Sequence, residues 1–214
     1  MIFRAKLIPA RTLPGRLVLW GAPLLFLGFA SGATMLSALP YGSGAYDTCT
    51  YDTCGISVLT SGTVTLAVTP TSGGVNTTAE DEVIVETDAS TGYTLTFLDS
   101  DTDTALTSGA NTVTASGGTQ ASPVTLALNT WGYRVDSLAS FGAGPTGAQN
   151  SDPNALYTFA GVPASNQTAH TLKSTSSAAN PAEVTEVWFG ARLDTAKPDG
   201  IYTGQVTYTA VTND

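Results

Sequence analysis

The sequence is poor in the side chains that most chemistry needs. Of 214 residues only 12% are charged, one is His and two are Cys. A lone His170, with no G-x-S-x-G motif anywhere, supplies no nucleophile and base pair of the hydrolase kind. It reads instead as a solvent-facing strand residue. Two Cys and one distant His fall short of a zinc cage. Strong helix formers are scarce beyond the first forty residues, which excludes a helical body. Basic residues are also few. Four of the eight (Arg4, Lys6, Arg11 and Arg16) sit at the N-terminus, while all 17 Asp and Glu lie after Tyr46. Everything beyond Arg16 therefore carries four positive against 17 negative charges, a net of −13. That balance argues against nucleic acid and anionic membrane as partners, and suits a cell surface or divalent cations.

What is abundant is threonine, with 35 residues, roughly three times ordinary usage. Thr is β-branched, so it suits strands, and its hydroxyl keeps an outer face wet without charge. Apolar residues alternate with it. Val187, Phe189, Ala191 and Leu193 point one way, and Val206, Tyr208 and Ala210 do the same in the last run. Such alternation predicts strands with one buried face. The turn chemistry of Lys197-Pro198-Asp199-Gly200 separates the two runs, as a hairpin or a crossover between sheets. Glu82–Thr87 and Tyr93–Leu98, joined by a short loop ending in Gly92, predict a hairpin. Trp131, Tyr133 and Val135 share a face of another strand and read as core. The expected class is all-β, an immunoglobulin-like or jelly-roll β-sandwich over residues 56–214.

The N-terminus has the order of a secretory leader. A basic lead over residues 1–16 precedes an apolar stretch from Leu17 to about Ala38, with small residues at Ser31–Ala33 and Leu36–Ala38 as exits. The stretch serves either as a cleaved signal or as a retained anchor helix, since about 20 apolar residues can span a bilayer. Residues 1–38 are thus the signal peptide or membrane anchor, and 39–55 a linker. The linker repeats Tyr-Asp-Thr-Cys, placing Cys49 and Cys54 five apart. In an exported chain these favour a local disulfide, with intermolecular cross-linking and metal binding as alternatives.

Two further patterns carry candidate sites. Asp99, Asp101 and Asp103 place oxygen ligands at every second position, like the start of a calcium loop. The pattern then departs from an EF-hand at Thr104, where Gly is needed, and at Ala110, where Glu is needed. Tyr133, Trp188 and Tyr202 are the aromatics that could stack on sugar, with Trp188 and Tyr202 the binding candidates. The carboxylates Glu183, Glu186 and Asp194 form no arguable pair across a cleft, so no catalytic residue is assigned. Asn76-Thr77-Thr78 and Asn166-Gln167-Thr168 match the glycosylation pattern and are expected in loops.

Several segments together carry a resemblance. They are the Cys-containing linker, Ser90–Phe97 (STGYTLTF), Asn129–Tyr133 (NTWGY), Gly161–Ser165 (GVPAS) and Gly200–Val211 (GIYTGQVTYTAV). In this order the chain resembles a group of secreted bacterial cell-surface β-sandwich proteins over about residues 46–212. There is a looser likeness to pilin and biofilm-fibre subunits. The resemblance implies an exported, cell-surface or cell-wall-associated protein and transfers no catalytic residue. Three functions follow as expectations. The first is a non-enzymatic structural or adhesion-type module whose partners are the cell envelope or other surface proteins. The second is a self-associating fibre subunit, with a segment in residues 39–60 adding a strand to a neighbour. The third is a carbohydrate-binding module. No cofactor is expected, with calcium at Asp99, Asp101 and Asp103 as the alternative, and membrane contact is expected only through an uncleaved N-terminal segment.

Overall fold

The computed structural model describes residues 2–7, 55–144, 149–152 and 157–213. The expected apolar helix over Leu17–Ala38 and the Cys49–Cys54 pair lie outside these residues. The described chain forms β1 (Ile2–Leu7), β2 (Ile56–Leu59), β3 (Thr63–Thr65), β4 (Val75–Thr87), β5 (Tyr93–Asp99) and β6 (Leu106–Ser108). There follow β7 (Asn111–Ala115), β8 (Thr130–Val135), β9 (Gln149–Asp152), β10 (His170–Ser174), β11 (Ala179–Leu193) and β12 (Thr203–Thr212). One 3₁₀ turn, Ala139–Phe141, interrupts them, and the described residues hold no α-helix. The body is all-β.

The strands form a continuous sheet in the order β10-β5-β12-β6-β7-β8-β11-β4-β2, with β1, β3 and β9 attached beside that path. The tight hairpin of β6 and β7 joins two halves: β6 meets β12 at Thr107–Thr203, and β7 runs parallel to β8. The halves enclose a single core. Phe97 of β5 lies with its ring centre 4.5 Å from Tyr133 of β8, 5.7 Å from Tyr208 of β12 and 6.5 Å from Phe189 of β11. Aromatic pairs at such spacings add about 1 kcal/mol each to area burial.

The last two strands behave as their alternation predicts. Val187, Phe189, Ala191 and Leu193 are buried, as are Val206, Tyr208 and Ala210. Their connection is the crossover rather than the hairpin. β11 pairs with β4 and β8 in one half, and β12 pairs with β5 in the other. Asn213 then clamps the end of β12, its amide donating to Thr91 O at 3.2 Å and to Thr175 O at 2.6 Å.

Two expectations are corrected. Glu82–Thr87 and Tyr93–Leu98 are not a hairpin. β4 takes β2, β9 and β11 as partners, whereas β5 takes β10 and β12. Each strand buries its apolar face from an opposite side of the same core, so the five-residue loop carries the chain across instead of back. Gly92 makes that possible at φ 83°, where a Cβ would lie 2.4 Å from Thr175 O. Second, Asn76-Thr77-Thr78 is strand, not loop. These residues pair with Arg192, Ala191 and Gly190 of β11, in that order, and are buried. Their backbone groups belong to the ladder, and β9 covers the same stretch.

Candidate functional site

The aspartate run closes β5. Asp99 is buried, and its Oδ1 accepts the Asp101 N–H at 2.9 Å. Asp103 Oδ1 accepts the Ala105 N–H at 3.0 Å in the same fashion. The loop is anchored on both sides, by Ser100 N–H to Gln205 O at 2.9 Å and Ser165 N–H to Asp101 O at 2.9 Å. Burial pushes the Asp99 carboxyl up to about 6, helped by the charges of Asp101 and Asp103 and opposed by backbone N–H donors. Two of the three carboxylates thus hold turns. Among the described residues no three or more His, Cys, Asp or Glu are gathered so as to hold a metal ion.

The two aromatic candidates are both inside. Tyr202 is 4% exposed, and its hydroxyl donates to Pro198 O at 3.1 Å. Trp188 is 1% exposed on the outer face of β11, opposite Arg134 of β8 and Glu80 of β4. Neither ring offers a face to a sugar in this conformation. Two residues further along β11 the same strand pair carries a feature that the sequence pattern did not show. Gly132 and Gly190 face each other across β8 and β11 and leave bare backbone there. The Phe159 ring fills the space, so that a Cβ on Gly190 would come within 2.5 Å of it.

Arg134 anchors the same face and is fully buried. Its guanidinium donates to Phe141 O at 3.0 Å, Gly142 O at 2.8 Å and Asp136 Oδ1 at 3.3 Å, and lies 5.1 Å from the Tyr157 ring centre. A buried guanidinium needs such partners, because an unpaired one costs several kcal/mol. One of only four basic residues in the body is thereby spent on packing.

His170, expected to face solvent, is half-buried. Its Nδ1 is 2.6 Å from the Tyr133 hydroxyl, and burial lowers its pKa. Of the carboxylates, Glu186 lies opposite Glu82 across β11 and β4, and burial together with the charges of Glu186 and Glu82 raises the Glu80 pKa. Glu183 pairs with Lys173 at 2.8 Å and accepts the Tyr93 hydroxyl at 3.1 Å, while Asp194 is bonded by Asn129 at 3.0 Å.

The remaining feature is a gap in the sheet and what fills it. β1 runs parallel to β12, with Ile2 opposite Thr203 through Leu7 opposite Tyr208. On its other side β1 is antiparallel to β3, with Ile2 opposite Thr65 and Arg4 opposite Thr63. The far edge of β12 is taken by β5 and β6. A six-residue strand from the basic lead therefore completes one half of the sheet. Nothing in its composition announced this, because a basic, partly apolar hexamer also reads as the start of a leader.

No protein-family model matches the chain, and no curated protein or solved structure matches it either.

Proposed function

We propose that this chain is an exported, non-enzymatic cell-surface or cell-wall-associated module of structural or adhesion type, an immunoglobulin-like or jelly-roll sandwich displayed outside the cell. One observation carries the reading: five of the polar groups that could do chemistry are used to hold the shell together. Asp99 and Asp103 hold turns, Arg134 ties a turn to β8, Glu183 closes on Lys173 and Tyr93, and His170 is tied to Tyr133. The leader-like N-terminus and the resemblance to secreted surface proteins support export. Cell fractionation with intact-mass spectrometry tests it. A protein in the envelope or medium, lacking its first 33 or 38 residues, agrees with a cleaved signal. A full-length cytosolic protein sinks the reading.

A second reading, a subunit assembling by strand exchange, is favoured by the position of β1. A strand paired on both edges inside a sheet is the geometry that strand addition uses.

A further inference from the structure

β2, β4 and β11 lie side by side, and their outer faces carry a row of apolar side chains. Leu59 stands opposite Ile84, and Ile84 opposite Val184. The core is on the other face, where Val83, Val85 and Val187 are buried. Leu59 is 58% exposed and Val184 50%, with Ile84 half-buried between them. Single exposed apolar residues are ordinary, but here three adjoin. With neighbouring strands about 4.8 Å apart, the bar is about 10 Å long.

Carboxylates close the bar on both sides. Along β4, Glu82 and Glu86 flank Ile84 on the same face, each about 7 Å away. Glu186 of β11 stands opposite Glu82, and Glu80 follows one step further along β4. All four are exposed. Like charges directly opposite one another destabilise a strand pair. Among the described residues, ion pairs join Arg134 to Asp136 and Lys173 to Glu183, and neither reaches these four. Lys197 and Arg192, the other bases of the body, donate to carbonyls of Thr112, Leu126 and Gly73. An exposed apolar row and unneutralised charge therefore stand together on one face.

We propose that this face is a docking surface for a basic β-strand of another protein, one that sets an aliphatic side chain on Ile84 and a Lys or Arg two residues to either side. The pattern follows from the face. Residues two apart on a strand are about 7 Å apart, the spacing of Glu82, Ile84 and Glu86. Stacked sheets pack about 10 Å apart, a gap that Lys and Arg side chains can bridge to a carboxylate. A second copy of this chain does not fit. The bar has carboxylates on both sides, so a copy turned either way sets Glu against Glu. An anionic membrane is repelled for the same reason. A basic strand relieves the Glu82–Glu186 repulsion while it takes the bar out of water. The inference goes beyond the export reading and does not depend on it, because the face is present wherever the chain resides.

The test uses the purified full chain and a synthetic peptide that repeats Lys-Thr-Leu-Thr three times. A peptide with Ser in place of Leu and one with Glu in place of Lys are the controls. Followed by amide NMR, the Lys-Leu peptide should move the signals around Leu59, Ile84 and Val184. Binding should fade in 1 M salt, where the screening length is about 3 Å. Ile84→Thr and Glu82→Gln should each weaken it about fivefold. Amide exchange across β4 and β11 should match the parent in both variants. Should Ile84→Thr loosen that ladder, Val184→Thr, half-exposed at the end of the bar, carries the same comparison. A Ser peptide that binds as tightly as the Leu peptide overturns the proposal, since general attraction to an acidic body then suffices. Indifference to the loss of the apolar side chain overturns it on the same ground. Shifts centred on Asp99–Asp103 overturn it, and so does no shift at millimolar peptide. Calcium moving these amides where the peptide does not would give the face to a cation, and equally overturns it.

Discussion

The hydroxyl of Tyr133 and Nδ1 of His170 lie 2.6 Å apart, joining a core aromatic of β8 to the first residue of β10. The pair ties opposite halves of the sheet at one point, since β8 lies in one half and β10 at the edge of the other. Replacing Tyr133→Phe keeps the ring but removes the hydroxyl. It should cost about 1 kcal/mol of stability, read from urea midpoints. The His170 titration followed by NMR should stay below the usual imidazole range in the variant, because burial depresses it. A return to the normal range would show that the hydroxyl, and not burial, sets it.

Gly190→Ala should destabilise by about 1–3 kcal/mol, because its methyl group would meet the Phe159 ring at 2.5 Å. Adding Phe159→Leu to that variant should recover part of the loss. Strict additivity of the two changes would mean that they do not share this contact.

Asp99 gives a pH dependence with a definite sign. Its folded pKa, about 6, is raised above the ordinary 3.8, so the folded state favours the protonated form. The stabilisation is complete below about pH 4 and is lost as pH rises through 6. Denaturation midpoints of Asp99→Asn relative to the parent should therefore improve between pH 4 and 7. Glu183 has the opposite sign, since its hydrogen bond from Lys173 lowers its pKa. Its contribution is present above the ordinary carboxylate range and fades as pH falls through the lowered value. Glu183→Gln should hurt at pH 7 and matter less at pH 3.

Asp81→Ala should cost about 1 kcal/mol, since the Ser61 N–H and hydroxyl lose their shared acceptor. Ser61→Ala should cost less, because the backbone bond survives. Amide exchange in β3 should quicken in Asp81→Ala before it does in β11. Equal quickening in both would deny Asp81 its local role.

The strands of the C-terminal third were legible because period two is a local property. One look at Val187–Leu193 or Val206–Ala210 gives the buried face. Partner choice is not local. The loop of Asp88–Gly92 reads as a hairpin turn, and only the distribution of bulk across the whole core makes it a crossing. Thr77 and Thr78 were misread because hydroxyls suit loops and ladders alike, and their burial comes from β9 and β11, far away in sequence. Arg134 went unnoticed as a structural anchor because no spacing rule marks a guanidinium that will meet carbonyls seven and eight residues on. Among the site candidates, Trp188 and Tyr202 were identified as aromatics, but alternation along a strand does not say that both of its faces will be covered.

The parallel ladder of β1 and β12 has a mechanical consequence. Traction applied at the start of the first strand and the end of the last would draw them lengthwise past one another. All six rungs from Ile2–Thr203 to Leu7–Tyr208 would then resist at once instead of peeling in turn. If a neighbour supplies that strand, the joint between two molecules meets drag along its toughest axis.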